Sequence, residues 1–257
     1  IDSIGIENTL PKIDGMFSFA IWDKKNHNLT LARDRLGEKP LYYGFNEGIF
    51  FFGSELKAFK FHPSFKPEID NNSLSLLVKY NFIPAPSSIY KNIFKLKPGT
   101  FVTVLNGNKL SQPKVYWSLL NIVNKKSYKE FERSSSDYID DLHSLLKNTV
   151  KKQMLADVPI GAFLSGGVDS STIAALMQAN STKKVKTFTI GFEDFNYNEA
   201  KYAKKIASTL GTDHSELYLS SKDAIEVIPN LSSIYSEPFA DSSQIPTFLV
   251  SKMAKEK

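Results

Sequence analysis

At 257 residues, with 42% hydrophobic side chains and a formal net charge of +5, the chain has room for one large or two modest domains with real cores. Its positive charge is mostly Lys, spread without a basic block, and Arg occurs at Arg33, Arg35 and Arg133, so no nucleic-acid partner is indicated. The lack of Cys excludes disulfides, thiolate metal sites and a Cys nucleophile from this stretch, and no apolar run approaches the length of a membrane span.

The sequence opens at Ile1 rather than Met and closes in KMAKEK within a helix-like stretch, so it reads as an interior piece of a longer protein. Its first half is rich in strands. Phe17, Phe19 and Ile21 alternate with Ser18 and Ala20, and a five-residue polar turn, KKNHN, leads to Leu29 and Leu31 alternating with Thr30 and Ala32. In ARDR, Arg33 and Arg35 flank Asp34, a pattern expected of an ion-paired structural turn. LYYGF and IFFFGS form a second hairpin around the three-residue turn Asn46-Glu47-Gly48. A helix over Leu74 to Tyr80 and a late strand, FVTVL, complete this part. The polar stretch from Asn121 to Ser136, with clustered Lys and Ser, is expected to be a linker, which divides the chain into 1–118, a linker at 119–136, and 137–257.

The second half changes period. Tyr138, Leu142, Leu145, Leu146 and Val150 follow helical spacing, with Ser135 or Ser136 as the expected N-cap. Val158, Ile160, Ala162, Phe163 and Leu164 suit a short buried strand, with Pro159 at its start and Gly161 inside. After the helix-forming run TIAALMQA come a strand, VKTFTI, a helix, EAKYAKKIASTL, closed by Gly211, and a strand, SELYL. Strands alternating with helices imply a doubly wound parallel sheet whose ligands sit at the carboxyl ends of the strands, where Leu164 and Ile190 fall.

Between the first of these strands and its helix lies LSGGVDSS, Leu164 to Ser171. Gly166 and Gly167 permit close backbone approach, so successive N–H groups can converge on an anion at a helix N-terminus, and Ser165, Ser170 and Ser171 add donors. A carboxylate beside phosphates is repulsive unless a divalent cation lies between them, so Asp169 reads as a ligand for Mg²⁺. The bland alternative is a tight strand-to-helix turn in which Asp169 and Ser170 cap the helix. Neither the GxxxxGK[ST] nor the G-x-G-x-x-G pattern is present. The remaining polar residues are less informative: His27, His62, His143 and His214 lack metal-ligand spacing, and Glu193, Asp194 and Glu199 sit in a loop placed to border a substrate pocket.

SGGVDSS resembles the pyrophosphate loop of N-type ATP pyrophosphatases. DGMFSFAIWD, LARDRLGEKPLYYG, FGSELKA, the FIPAP to IYKNIFKLKPG stretch and DVPIGAFLSGGVDSS together resemble glutamine-hydrolysing asparagine synthetases, in order from Asp14 to about Ala254. The resemblance implies an α/β fold of two domains: part of an αββα sandwich of the N-terminal-nucleophile glutaminase type, then part of a Rossmann-like PP-loop ATP pyrophosphatase domain. It implies a ligase that adenylates a carboxylate such as that of aspartate with ATP and Mg²⁺, then amidates it with ammonia from glutamine. Residues Leu164 to Ser171, including Val168, and Ile190 would bind ATP, with Leu164 and Ile190 against the adenine. Glu237 and Asp241, flanking PFA, would lie in the acceptor segment, although an Arg carried there by some relatives is missing. The glutaminase Cys and glutamine-binding motifs would precede Ile1, and a second ATP motif would follow Lys257, so this stretch alone is expected to be inactive. Amidation of another carboxylate and intramolecular β-lactam formation are the alternatives. A cytoplasmic location and a homodimer are further expectations of the resemblance.

Overall fold

The computed structural model describes residues 1–125, 134–192 and 198–257. The chain divides into two compact units, Ile1–Lys129 with Ser232–Ala240, and Glu130–Leu231 with Asp241–Lys257.

The first unit begins with α1 (Gly5–Thr9), β1 (Ser18–Asp23) and β2 (Asn28–Arg33), the strands pairing antiparallel from Ser18 with Arg33 to Asp23 with Asn28. Their connection is one residue shorter than expected because the Asp23 carboxylate accepts the Lys25 and Asn26 amides and tightens it. β3 (Tyr42–Asn46) and β4 (Ile49–Gly53) close on two residues rather than three. Glu47 and Gly48 both take positive φ, as a type I′ hairpin requires, which leaves Asn46 free to pair with Ile49. α2 (Leu56–Phe59) and α3 (Asn71–Tyr80) follow, and α3 starts three residues earlier than its apolar spacing suggests because Asp70 caps it. β5 (Ile93–Lys95), β6 (Thr100–Leu105), β7 (Lys109–Leu110), β8 (Lys114–Val115) and α4 (Leu119–Lys125) complete the run.

These strands make two sheets: β1-β2-β6, with β7 and β8 both on β6, and β4-β3-β5. Side chains alternate across a strand, so consecutive residues report its two faces. Tyr43 packs with Leu31 and Val102 between the sheets. Tyr42 faces the other way, among Phe51, Leu56, Phe59 and Ile93. Behind the first sheet, Ala32 and Phe101 bury Leu10 with Ile6. The layers are therefore helix, sheet, sheet, helix, the expected sandwich.

The second unit opens with α5 (Ser135–Gln153), capped by a reciprocal Ser134–Asp137 box, so the N-cap lies one residue before the expected Ser135. Among the described residues, α5 buries Val150 and part of Leu146, while Ile139, Leu142 and Leu145 are exposed. Then come β9 (Gly161–Phe163), α6 (Val168–Ala179), β10 (Lys186–Phe192), α7 (Ala200–Leu210), β11 (Asp213–Leu219), α8 (Ser221–Val227), α9 (Leu231–Ile234), which belongs to the first unit from Ser232 on, and α10 (Gln244–Glu256). β11, β10 and β9 form a parallel sheet in which Lys186 pairs with both Asp213 and Gly161. Phe188 of β10 packs on Val250 and Met253 of α10. Thr187 and Thr189, on the opposite face, are also buried, so this sheet is covered on both sides as a doubly wound sheet is.

Candidate functional site

The carboxyl end of β9 runs straight into the glycine turn. Leu164, buried beneath it, donates its N–H to the Phe188 carbonyl and packs against Ala174 of α6 and Ala203 of α7. Gly166 then takes φ +85, and a Cβ there would lie 2.7 Å from the Tyr202 Cβ and 3.0 Å from the Ala203 nitrogen. Both backbone geometry and space therefore exclude a side chain. Gly167 is the N-cap of α6 and offers no side-chain cap, so the expected alternative of Asp169 or Ser170 capping the helix does not hold.

The hydroxyls lock the turn. Ser165 and Ser170 Oγ lie 2.9 Å apart, the Ser165 N–H donates to Ser170 Oγ, and the Gly167 N–H donates to Ser165 Oγ. Ser171 Oγ donates to the Gly167 carbonyl at 2.6 Å. Among the described residues no acceptor meets the N–H groups of Val168, Asp169 and Ser170, which form the first turn of a twelve-residue helix. Aligned amides at a helix start are an anion receptor. Asp169 is exposed beside them, and among the described residues no cluster of three or more metal-ligating side chains surrounds it. One acid fits a cation only if phosphate oxygens supply most of the coordination, which is the usual way Mg²⁺ is held.

Next to the turn is a cavity of about 440 Å³ lined by Leu164, Ser165, Ser170, Phe188, Thr189, Ile190 and Glu199, together with Pro246, Thr247 and Val250 of α10. Leu164 and Ile190 thus share one apolar wall, and the hydroxyls of the loop open onto its edge. Glu193 and Asp194 lie outside the described residues. Glu199 precedes α7, its carbonyl accepting the Tyr202 and Ala203 amides.

Neither Glu237 nor Asp241 lines this cavity. Glu237 belongs to the first unit, where its carboxylate pairs with the Lys95 ammonium and accepts the Ile89 N–H at 2.7 Å. Tyr42 OH donates to it at 3.4 Å, and burial first, then the Glu237 charge, push the Tyr42 phenol well above its usual range. Asp241, exposed in the second unit, accepts the Ser243 N–H at 2.7 Å, and that bond holds its carboxyl below the usual value. ARDR is structural as expected, but with different partners. The Arg33 guanidinium donates to the carbonyls of Gly37, Lys39 and Leu96, Asp34 accepts the amides of Leu36, Glu38 and Lys39, and Arg35 pairs with Asp14.

Residues 1–117 match the glutamine amidotransferase domain family, and residues 141–257 match the asparagine synthase family. Taken together, these two matches make the chain similar to the glutamine-hydrolysing asparagine synthetases. The "Putative asparagine synthetase (glutamine-hydrolyzing) 2" of Methanocaldococcus jannaschii is 38% identical over 248 residues, which are 95% of this chain and 47% of that protein. "Asparagine synthetase (glutamine-hydrolyzing) 1" of Bacillus subtilis is 31% identical over 250 residues, 97% of this chain and 38% of that one. "Amidase chyE" of Penicillium rubens is 30% identical over 213 residues, 77% of this chain and 30% of its own. The chain spans half or less of each of these relatives.

Sequence reasoning passed over Thr189, Pro246, Thr247 and Val250 as cavity walls, and Lys95 as the partner of Glu237. Thr189 carried a signal, since it sits one residue before Ile190 near the carboxyl end of the parallel strand β10. Lys95 carried none beyond its place in IFKLKPG.

Proposed function

We propose that this chain forms part of an enzyme that makes asparagine from aspartate, ATP and glutamine, with AMP and pyrophosphate as the other products. Residues 1–118 are its glutaminase portion, 119–136 the linker and 137–257 its synthetase portion. The observation that carries the reading is the turn Ser165–Ser171, whose helix-start amides stand free beside a cavity large enough to admit a nucleoside.

In this reading Leu164 and Ile190 lie against the adenine. Ser165, Gly166, Gly167, Val168, Asp169, Ser170 and Ser171 hold the β- and γ-phosphates. A carboxylate oxygen of aspartate attacks the α-phosphorus, and the bond to the bridging oxygen breaks with its electron pair leaving on pyrophosphate. The free amides stabilise the charge that gathers there. Ammonia then adds to the acyl carbon, AMP departs, and the nitrogen sheds a proton to give the amide. Asp169 is the residue that would hold Mg²⁺, which supplies neutralisation of the phosphate charge. Glu237 and Asp241 remain candidates for the acceptor side, and the reading carries with it a cytoplasmic enzyme of homodimeric form.

The likeness to a protein named an amidase, and the lack of Arg in EPFADSSQIPT, favour as second reading an acceptor carboxylate other than aspartate. AMP release by the protein that carries this segment, measured with glutamine and ATP against aspartate, sugar acids and β-amino acids, distinguishes them. Release with aspartate supports the first reading; release with no carboxylate overturns both.

A further inference from the structure

We infer that Glu199 receives the ribose of the nucleotide, its carboxylate accepting the 2′- and 3′-hydroxyls. This deepens the nucleotide reading of the cavity given above and rests on it. All the residues concerned belong to the second unit.

The backbone around Glu199 is held from both sides. Before it, the Asn198 side chain donates to the Phe192 carbonyl at 3.3 Å and accepts the Ala200 amide at 3.0 Å, so it ties the end of β10 to the start of α7. After it, the Glu199 carbonyl accepts the Tyr202 and Ala203 amides, each at 3.0 Å. Tyr202 and Ala203 are the residues on which Gly166 closes, so Glu199 is fixed to the same structure as the glycine turn. With Asn198 holding the Ala200 amide, the Glu199 side chain caps nothing. Its carboxylate makes no hydrogen bond or ion pair among the described residues, and among them it is the one ionisable side chain in the wall of the 440 Å³ cavity.

An exposed carboxylate is ordinarily just solvated, and its neighbours are what give this one a task. A nucleoside triphosphate offers an apolar base face, a neutral diol and a charged tail. Leu164 and Ile190 supply an apolar wall, and the amides of Val168, Asp169 and Ser170 suit the tail. Glu199 suits neither, since it repels phosphate and costs free energy when stripped of water against an apolar face. A diol presents two O–H donors, and a carboxylate is a pure acceptor with two oxygens. The topology agrees. β9, α6 and β10 form a parallel βαβ unit with the glycine turn after its first strand and Glu199 after its second, the place where dinucleotide-binding folds carry the acid that takes a ribose hydroxyl.

The test is calorimetric titration of the protein that carries this segment with the Mg²⁺ complexes of ATP, 2′,3′-dideoxy-ATP and inosine triphosphate, for the wild type and Glu199→Ala. The wild type should bind ATP about 10-fold or more tighter than dideoxy-ATP, because hydrogen bonds to a charged group are the strong ones. In Glu199→Ala that preference should shrink to about 2-fold or less. ATP loses affinity there, while the dideoxy analogue, relieved of a like charge near its phosphates, binds no worse than before. A wild type that binds both nucleotides equally, or a variant that weakens both alike and so keeps the preference, overturns the inference and leaves the nucleotide site intact. So does a variant that loses only a preference for ATP over inosine triphosphate, which assigns the carboxylate to the base. A wild type that binds no ATP overturns the proposed function, and this inference with it.

Discussion

Gly166 stands so close to Tyr202 that a Cβ on the glycine would fall 2.7 Å from the Cβ of the tyrosine. The contact joins the turn after β9 to the first turn of α7, and the φ of +85 at Gly166 adds a second reason against any side chain. Gly166→Ala should cost about 1–3 kcal/mol of stability and abolish detectable ATP binding, because the turn must open to make room. Gly167→Ala has negative φ and meets Ser165 Oγ at 3.4 Å, so its stability should change by under about 1 kcal/mol. Thermal unfolding of the pair separates the two; equal losses would mean that the close approach to Tyr202 is unimportant.

Among the described residues the Asp169 carboxylate makes no hydrogen bond, and it is exposed, so it contributes little to folding. Asp169→Asn should keep the wild-type melting temperature within about 2 °C and lose the gain in ATP affinity that Mg²⁺ confers. Titrations with Mg²⁺ and with a chelator would measure it. A variant that still responds to Mg²⁺ like the wild type would remove Asp169 from the metal's surroundings.

His214 of β11 holds Thr187 Oγ1 at 2.9 Å through Nδ1, while its Nε2 is buried without a partner among the described residues. Burial lowers its pKa below 6.5, Lys204 acts in the same direction, and Glu216 opposes them. Because the folded value is depressed, the stabilisation is complete above 6.5 and is lost as pH falls from there through the folded value. The second unit should therefore weaken between about pH 7 and pH 5.5, and His214→Gln should flatten that slope while costing about 1 kcal/mol at pH 8. Urea unfolding at the two pH values reads both effects, and a slope that survives the substitution assigns it to another group.

Asp34 is 1% exposed. Burial works to raise its pKa, and the amides of Lys39 and Glu38 outweigh burial and hold it below 3.8. Its contribution is thus present in full above about pH 4 and disappears on acidification through the folded value. Asp34→Asn should lower stability by about 2–3 kcal/mol at pH 7 and by progressively less below pH 4. A constant difference across that range would show that the loss is steric rather than electrostatic.

Local chemistry made much of this protein readable from sequence. The alternating strands β1, β2 and β10, α7 with its closing Gly211, and the loop before α6 each depend on residues within a few positions of one another. Misjudged boundaries were local too, and came from one side chain outbidding periodicity: Asp23 tightening a turn, Asp70 lengthening α3, Ser134 displacing Ser135 as cap. Polar composition hid α4, which forms within the stretch expected to be linker. Glu237 was beyond reach for a different reason. Its partners Ile89, Lys95 and Tyr42 are 142 to 195 residues away, and no periodicity encodes such pairings.

Ser165 and Ser170 already clasp each other by their hydroxyls at 2.9 Å. A ligand arriving at this turn therefore meets a finished receptor, and little chain disorder must be surrendered on contact. The cost of arranging the amides was met during folding, so binding here should be fast and should slow chiefly in departure.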